Sequence, residues 1–294
     1  TSDGNFEIRG FVTVTAPNGA EVWAVGESRN ITWTKQGTFT TVKLEYSTNA
    51  FANELQTSVI NASVDGTTGT PYAWVIPDAI GSTVRVRVTS NQFASVFDVS
   101  DANFKIAGKV TLTAPNGGES WTVGTSQSVT WIKQGSIANA KLDYSTDGGL
   151  SYPNVIVAST AAGTGAYAWT IPDSIGTTRR VRVSDASDST VFDTSDANFT
   201  ILAGFTLTAP NGGEVWQVAS AQTISWTNVG TVANVKLEYS TDGGSTYPNT
   251  ITATTLNTGS YAWTVPDSIT TLARLRVSDV VNANALDVSN ANVK

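Results

Sequence analysis

The chain has 294 residues, with 17 basic and 24 acidic side chains, a net charge of −7, and no Cys, Met or His. That composition removes disulfides, thiolate chemistry and the imidazole that most often serves as general base or metal ligand. No cluster of Lys or Arg offers a footing for nucleic acid or an anionic bilayer surface, and no apolar run approaches the ~20 residues that span a membrane.

The sequence repeats itself three times with a period of about 95 residues, the size of a small domain that folds alone rather than a solenoid unit. VTVTAP at 12–17 returns as VTLTAP at 110–115 and FTLTAP at 205–210, each followed by Asn-Gly. The nine tryptophans fall three to a copy: Trp23, Trp33 and Trp74, then Trp121, Trp131 and Trp169, then Trp216, Trp226 and Trp263.

The second copy shows the elements most cleanly in chain order. Residues 109–114 alternate and stop at Pro115-Asn116-Gly117-Gly118, a turn sequence that supplies positive φ. Extended structure resumes at 119–123 around Trp121. The run 127–132 then places Val129 and Trp131 on one face. Residues 140–145 set Ala140, Leu142 and Tyr144 against Lys141 and Asp143, and a shorter strand falls near 154–158. Residues 167–172 turn Tyr167, Trp169 and Ile171 inward, 179–184 alternate Val181 and Val183 with Arg180 and Arg182, and 198–201 close the copy through Phe199 and Ile201. Seven or eight short strands of period two, without a helical stripe, predict an all-β chain: three tandem antiparallel β-sandwiches of immunoglobulin or fibronectin III character. The modules cover 11–108, 109–204 and 205–294. The junctions, Ile106-Ala107-Gly108 and Ile201-Leu202-Ala203-Gly204, leave almost no linker, so a rod is expected.

Each copy carries P-x-G, then W, [IV]-[TS]-W, K-[LV]-[ED]-Y-S, Y-A-W-x-[IV]-P-D, R-[VL]-R-V and S-x-A-N. In the second these include Pro115, Gly117, Trp121, Trp131, Leu142, Trp169, Pro172, Val181 and Asn198. The pattern resembles the Ig-like domain of fungal KNH-type cell-wall glucan-assembly proteins and Ser/Thr-rich GPI-anchored surface proteins, which also recurs in tandem in large secreted bacterial proteins. The resemblance implies a sandwich fold and a surface or secreted setting. Neither a Ser/Thr-rich stalk nor a hydrophobic GPI tail accompanies it here.

Three groups of residues are candidates for chemistry. Asp185, Asp188, Asp193 and Asp196 crowd the last loop of the second module, where carboxylates with hydroxyl and carbonyl oxygens suit calcium. An ion there would stiffen the joint with the preceding module. Trp23, Trp121 and Trp216 lie beside the turn and would bind a glycan if their rings faced solvent, with Tyr152 and Tyr247 as weaker candidates. The stretches Ser145-Thr146-Asp147-Gly148-Gly149 and Ser240-Thr241-Asp242-Gly243-Gly244 resemble an Asp-box, a hairpin whose Asp caps its own turn. The remaining acids recur at turn and outward positions in several copies, unlike the paired carboxylates of a glycosidase cleft.

The sequence therefore predicts a non-enzymatic secreted or cell-surface stalk, fibre or surface-layer segment. Its partners would be neighbouring modules, other copies of the chain, or cell-surface polysaccharide. A carbohydrate-binding accessory region of a secreted hydrolase or adhesin is the alternative. The chain begins at Thr1 and reads as a processed or excised part of a longer secreted protein. Residues 1–10 duplicate a closing strand, since 1–8 match 194–201, and the run 289–294 is a weakened version with Val293 in place of Phe. Residues 1–10 are then either the closing strand of a preceding module in a longer array or a strand added head-to-tail between copies.

Overall fold

The computed structural model describes residues 8–67 and 70–294. The orphan strand expected over 1–10 falls mostly outside the described residues. The first module contains β1 (Phe11–Ala16), β2 (Val22–Ala24), β3 (Ser28–Gln36), β4 (Thr41–Ser47), β5 (Thr57–Asp65), β6 (Tyr72–Val75), β7 (Gly81–Ser90), β8 (Phe97–Val99) and β9 (Phe104–Ala107). The second repeats them as β10 (Lys109–Ala114), β11 (Ser120–Thr122), β12 (Ser126–Gln134), β13 (Asn139–Ser145), β14 (Asn154–Ala161), β15 (Ala166–Thr170), β16 (Gly176–Asp185), β17 (Phe192–Thr194) and β18 (Phe199–Leu202). The third comprises β19 (Gly204–Ala209), β20 (Ala221–Val229), β21 (Asn234–Ser240), β22 (Asn249–Leu256), β23 (Ser260–Thr264), β24 (Arg274–Asp279) and β25 (Leu286–Val288).

Each module is a two-layer sandwich. One layer is a three-stranded sheet, β1-β3-β6 in the first module, and the other is β2-β9-β7-β4-β5 with β8 also on β7. The long strand β7 makes this possible by changing neighbours along its length. Its start pairs with β9 through Gly81–Ile106 and Val84–Phe104, and its end pairs with β8 through Arg87–Val99 and Thr89–Phe97. Strand β2 lies parallel to β9, with Trp23 opposite Ile106. The sequence reading missed β8 and β17, three-residue strands whose Phe97 and Phe192 are exposed, so no inward residue marks them.

The inward residues are those the period-two pattern selects. Val129 and Trp131 of β12 are buried, as are Leu142 of β13 and Val181 and Val183 of β16. Trp33, Trp131 and Trp226 are at most 3% exposed. Burial of one such ring removes roughly 150–250 Å² from water, an upper estimate of ~4–6 kcal/mol. Three aromatic cores thus stand where related small domains use a disulfide.

One face departs from the alternation. Asp143 and its counterparts Glu45 and Glu238 sit on the outward side of the larger layer, yet all three are buried. Lys141 and Arg182 hold Asp143 at 3.0 Å each, and Lys43 and Arg87 hold Glu45 at 2.8 and 3.0 Å. Aromatic rings close over the guanidinium groups: Phe51 over Arg87, Tyr152 over Arg182 and Tyr247 over Arg276, at 4.3–4.8 Å. Arg87 faces Glu45 across the β4–β7 register, while Arg85 reaches Asn103 and the Ser100 carbonyl.

Candidate functional site

The turn that follows the first strand of each module is built by its own acid. Glu119 accepts the backbone N–H groups of Asn116 and Gly117, and Asp196 accepts the Asn116 side-chain amide at 2.7 Å. Gly117 has φ +127°, and a Cβ there would lie 2.5 Å from that of Ala197. Only glycine fits. This is the structural content of the P-N-G-x-E and S-x-A-N motifs.

Trp121 stands next to this turn, but its ring faces the core. It is 8% exposed and packs on Phe199 at 5.0 Å and edge-on to Trp169 at 6.1 Å. Trp23 is held in the same way by Phe104 and Trp74. Neither presents a face on which a sugar could stack. Tyr152 and Tyr247 are engaged by Arg182 and Arg276.

Trp216 alone among the three is half-buried. It keeps the edge contact with Trp263 at 5.9 Å but has no phenylalanine beside it, because Val293 occupies the position of Phe104 and Phe199. A second replacement lies alongside. Where the second module has Arg179, whose guanidinium donates to the carbonyls of Ser174, Thr146 and Ile175, the third has Ala273. The two losses of volume leave an apolar groove of about 120 Å³, lined by Trp216, Tyr239, Trp263, Ala273, Leu275 and Val293. Around Trp216 the backbone pairs through the isolated bridge Ala273–Val293, the Trp216 N–H to the Lys294 carbonyl at 2.6 Å and the Lys294 N–H to the Glu214 carbonyl at 2.8 Å.

The four aspartates of the second module do not converge on a point. Asp185 accepts the N–H and hydroxyl of Ser187 within its own turn, Asp193 accepts the Leu112 N–H at 2.8 Å, and Asp196 serves the Asn116 turn. Asp188 binds Thr190 and forms an ion pair with Lys105 of the first module. Among the described residues no group of three or more acids could hold a metal ion. At this joint the Lys105 ammonium meets Asp188, and hydrogen bonding to it holds the Asp188 carboxyl below the usual carboxylate range.

A second link crosses the same joint and recurs at the next. Asp78, in the Pro77-Asp78 corner after β6, accepts the Ser136 N–H at 2.9 Å and also its hydroxyl. Asp173, its counterpart, accepts the Thr231 N–H at 3.0 Å and that hydroxyl as well. The carboxyl of Asp173 is lowered by the Thr231 hydroxyl first and its backbone N–H second. Valine and isoleucine flank each acid. A Cβ on Gly135 would lie 3.0 Å from Val25 and 3.2 Å from both Asp78 and Ile80, and one on Gly230 would lie 3.1 Å from Val123 and Ile175. The connecting residues belong to the following core: Ala107 is 3% exposed within the second, Leu202 8% and Ala203 4% within the third.

The Asp-box loops close on themselves. Asp147 accepts the Ser145 hydroxyl and the N–H and hydroxyl of Ser151, and these bonds hold its carboxyl far below the usual range. No oxygen of that side chain is aimed at a cleft. Sequence reasoning missed the joint acids because Asp78 and Asp173 read only as turn residues of the Y-A-W-x-[IV]-P-D motif. The available signal was that a Gly-Ser or Gly-Thr pair follows β12 and β20 at the same offset.

No family model matches the chain, and no curated protein does. Among solved structures it is similar to the fibronectin(III)-like modules of Clostridium thermocellum CbhA, at 18% identity over 65% of this chain and 94% of that one, with a TM-score of 0.23. It is also similar to the N-terminal four Ig domains of Dscam1 isoform 6.44, at 9% identity over 99% and 73%, with a TM-score of 0.31.

Proposed function

We propose that the chain is a non-enzymatic structural spacer of the extracellular or cell-surface space, which holds whatever it carries at a set distance. The joints support this reading most directly. A linker that contributes Ala107, or Leu202 and Ala203, to the next core has little freedom left, and a carboxylate bound to both N–H and hydroxyl of the neighbour fixes rotation about it. Flexible linkers of Gly and Ser behave in the opposite way. The acids used in turns, joints and sheet-face ion pairs recur from copy to copy, as a scaffold requires and a single reaction centre does not. Buried Trp23 and Trp121 do not favour a carbohydrate-binding role.

Small-angle scattering tests the reading. Three in-line modules, each about 40 Å long at ~3.3 Å rise per residue, give a maximum dimension of ~100 Å or more. A broad distribution centred well below that would reject the spacer.

A further inference from the structure

The two joints within the chain define a socket and a plug, and the chain carries one further copy of each. The socket is Val25, Asp78 and Ile80 in the first module and Val123, Asp173 and Ile175 in the second; the plug is Gly135-Ser136 and Gly230-Thr231. In the third module the socket positions are Val218, Asp267 and Ile269. Val218 is 47% exposed against 8% for Val25 and 9% for Val123, and Ile269 is 90% exposed. Asp267 is exposed and, among the described residues, has no hydrogen-bond partner. The plug positions of the first module are Gly37-Thr38, with Gly37 at φ +119° and Thr38 exposed.

The apolar groove continues from this open socket, since Val218 and Ile269 line it together with Trp216 and Trp263. In the other modules the corresponding space holds Phe104 or Phe199. Residues 2–10, SDGNFEIRG, repeat the sequence of 100–108, SDANFKIAG, with the same number of residues before the next first strand. Phe6 and Ile8 are the counterparts of Phe104 and Ile106.

We propose that the third module of one copy receives the first module of a second copy. Thr38 of the incoming copy meets Asp267, its Gly37 sits between Val218 and Ile269, and its Ile8 enters the groove beside Trp216, as Ile106 and Ile201 lie opposite Trp23 and Trp121. Residues 8–10 lead directly into β1, and both joints within the chain join consecutive modules, so the first module of a second copy brings plug and lead-in residues to this socket together. Such a contact is heterologous and does not close, and its repetition builds a linear fibre. The inference rests on the spacer reading and extends it from one chain to many.

Sedimentation velocity of the whole chain over a concentration series, with negative-stain imaging, provides the test. Head-to-tail oligomers should grow with concentration. Thr38→Glu, which sets a carboxylate against Asp267, and Ile269→Glu should each weaken association by at least about tenfold, as should deletion of residues 1–8. Both substituted positions are exposed, and unchanged melting curves would show that the modules remain folded. Thr38→Glu combined with Asp267→Lys should restore oligomers. A parent that stays monomeric up to ~1 mM, or oligomers indifferent to all three changes, would overturn the proposal. Scattering on the monomer separates the two readings: an extended monomer that never associates sinks only the fibre, whereas a collapsed or freely bending one sinks the spacer.

Discussion

Asp78 and Ser136 are 58 residues apart and belong to different modules, yet the carboxylate of one accepts the backbone N–H of the other at 2.9 Å. The pairing is repeated by Asp173 and Thr231 with the same separation of 58. An exposed carboxylate at such a contact contributes little to unfolding free energy, under ~1 kcal/mol. Its consequence is orientation.

Replacing both Asp78 and Asp173 with Ala should leave the melting of every module within ~0.5 kcal/mol of the parent. The scattering profile should change, with a wider spread of maximum dimensions. An unaltered profile would place the stiffness in the buried linkers alone.

Acid should loosen the same joints. The carboxyls of Asp188 and Asp173 lie below their ordinary value in the folded chain, through the Lys105 and Thr231 contacts respectively. A depressed folded pKa stabilises above the unfolded value of ~3.9 and is lost as pH falls through the folded one. Joint flexibility should therefore be constant from neutral pH down to about 4 and rise below it. The readout is scattering or inter-module energy transfer, and a transition centred near neutrality would contradict the assignment.

Trp131→Ala should destabilise the second module by roughly 3–5 kcal/mol, since the ring is 3% exposed and its indole N–H donates to the Ala162 carbonyl. The first and third modules should melt as before. Calorimetry resolving one shifted transition checks this.

Arg182→Ala removes one of the two cations on buried Asp143, leaving Lys141. A cost of roughly 2–4 kcal/mol is expected, near the lower end for a broken buried pair. Thermal denaturation of the variant measures it, and a loss below ~0.5 kcal/mol would mean that water replaces the guanidinium freely.

Phe199→Val should open in the second module one of the two volumes that form the third module's groove. Trp121 would lose the ring at 5.0 Å, with a stability loss of roughly 2–3 kcal/mol. Its fluorescence should shift to the red as water reaches the indole, and an unshifted spectrum would show that the module collapses onto the space instead.

The sequence by itself determined the number of modules, the strand phase and most of the core. Those are local matters: a side chain two residues along a strand faces the same way, and the repeat shows three times which face holds Trp131, Leu142 or Val181. The turns were legible for the same reason, because Asn116-Gly117 needs positive φ wherever it occurs. Tertiary structure decided what depends on neighbours far along the chain. Alternation put Asp143 outside, but Arg182, Lys141 and Tyr152 cover it. Four aspartates close in sequence suggested one ion site, but each is taken by a different partner, and Lys105 reaches Asp188 from the preceding module. Trp23, Trp121 and Trp216 are equivalent in sequence. Only the residue packed against each, Phe104, Phe199 or Val293, sets whether its ring is covered, because burial belongs to the pair of surfaces and not to the side chain.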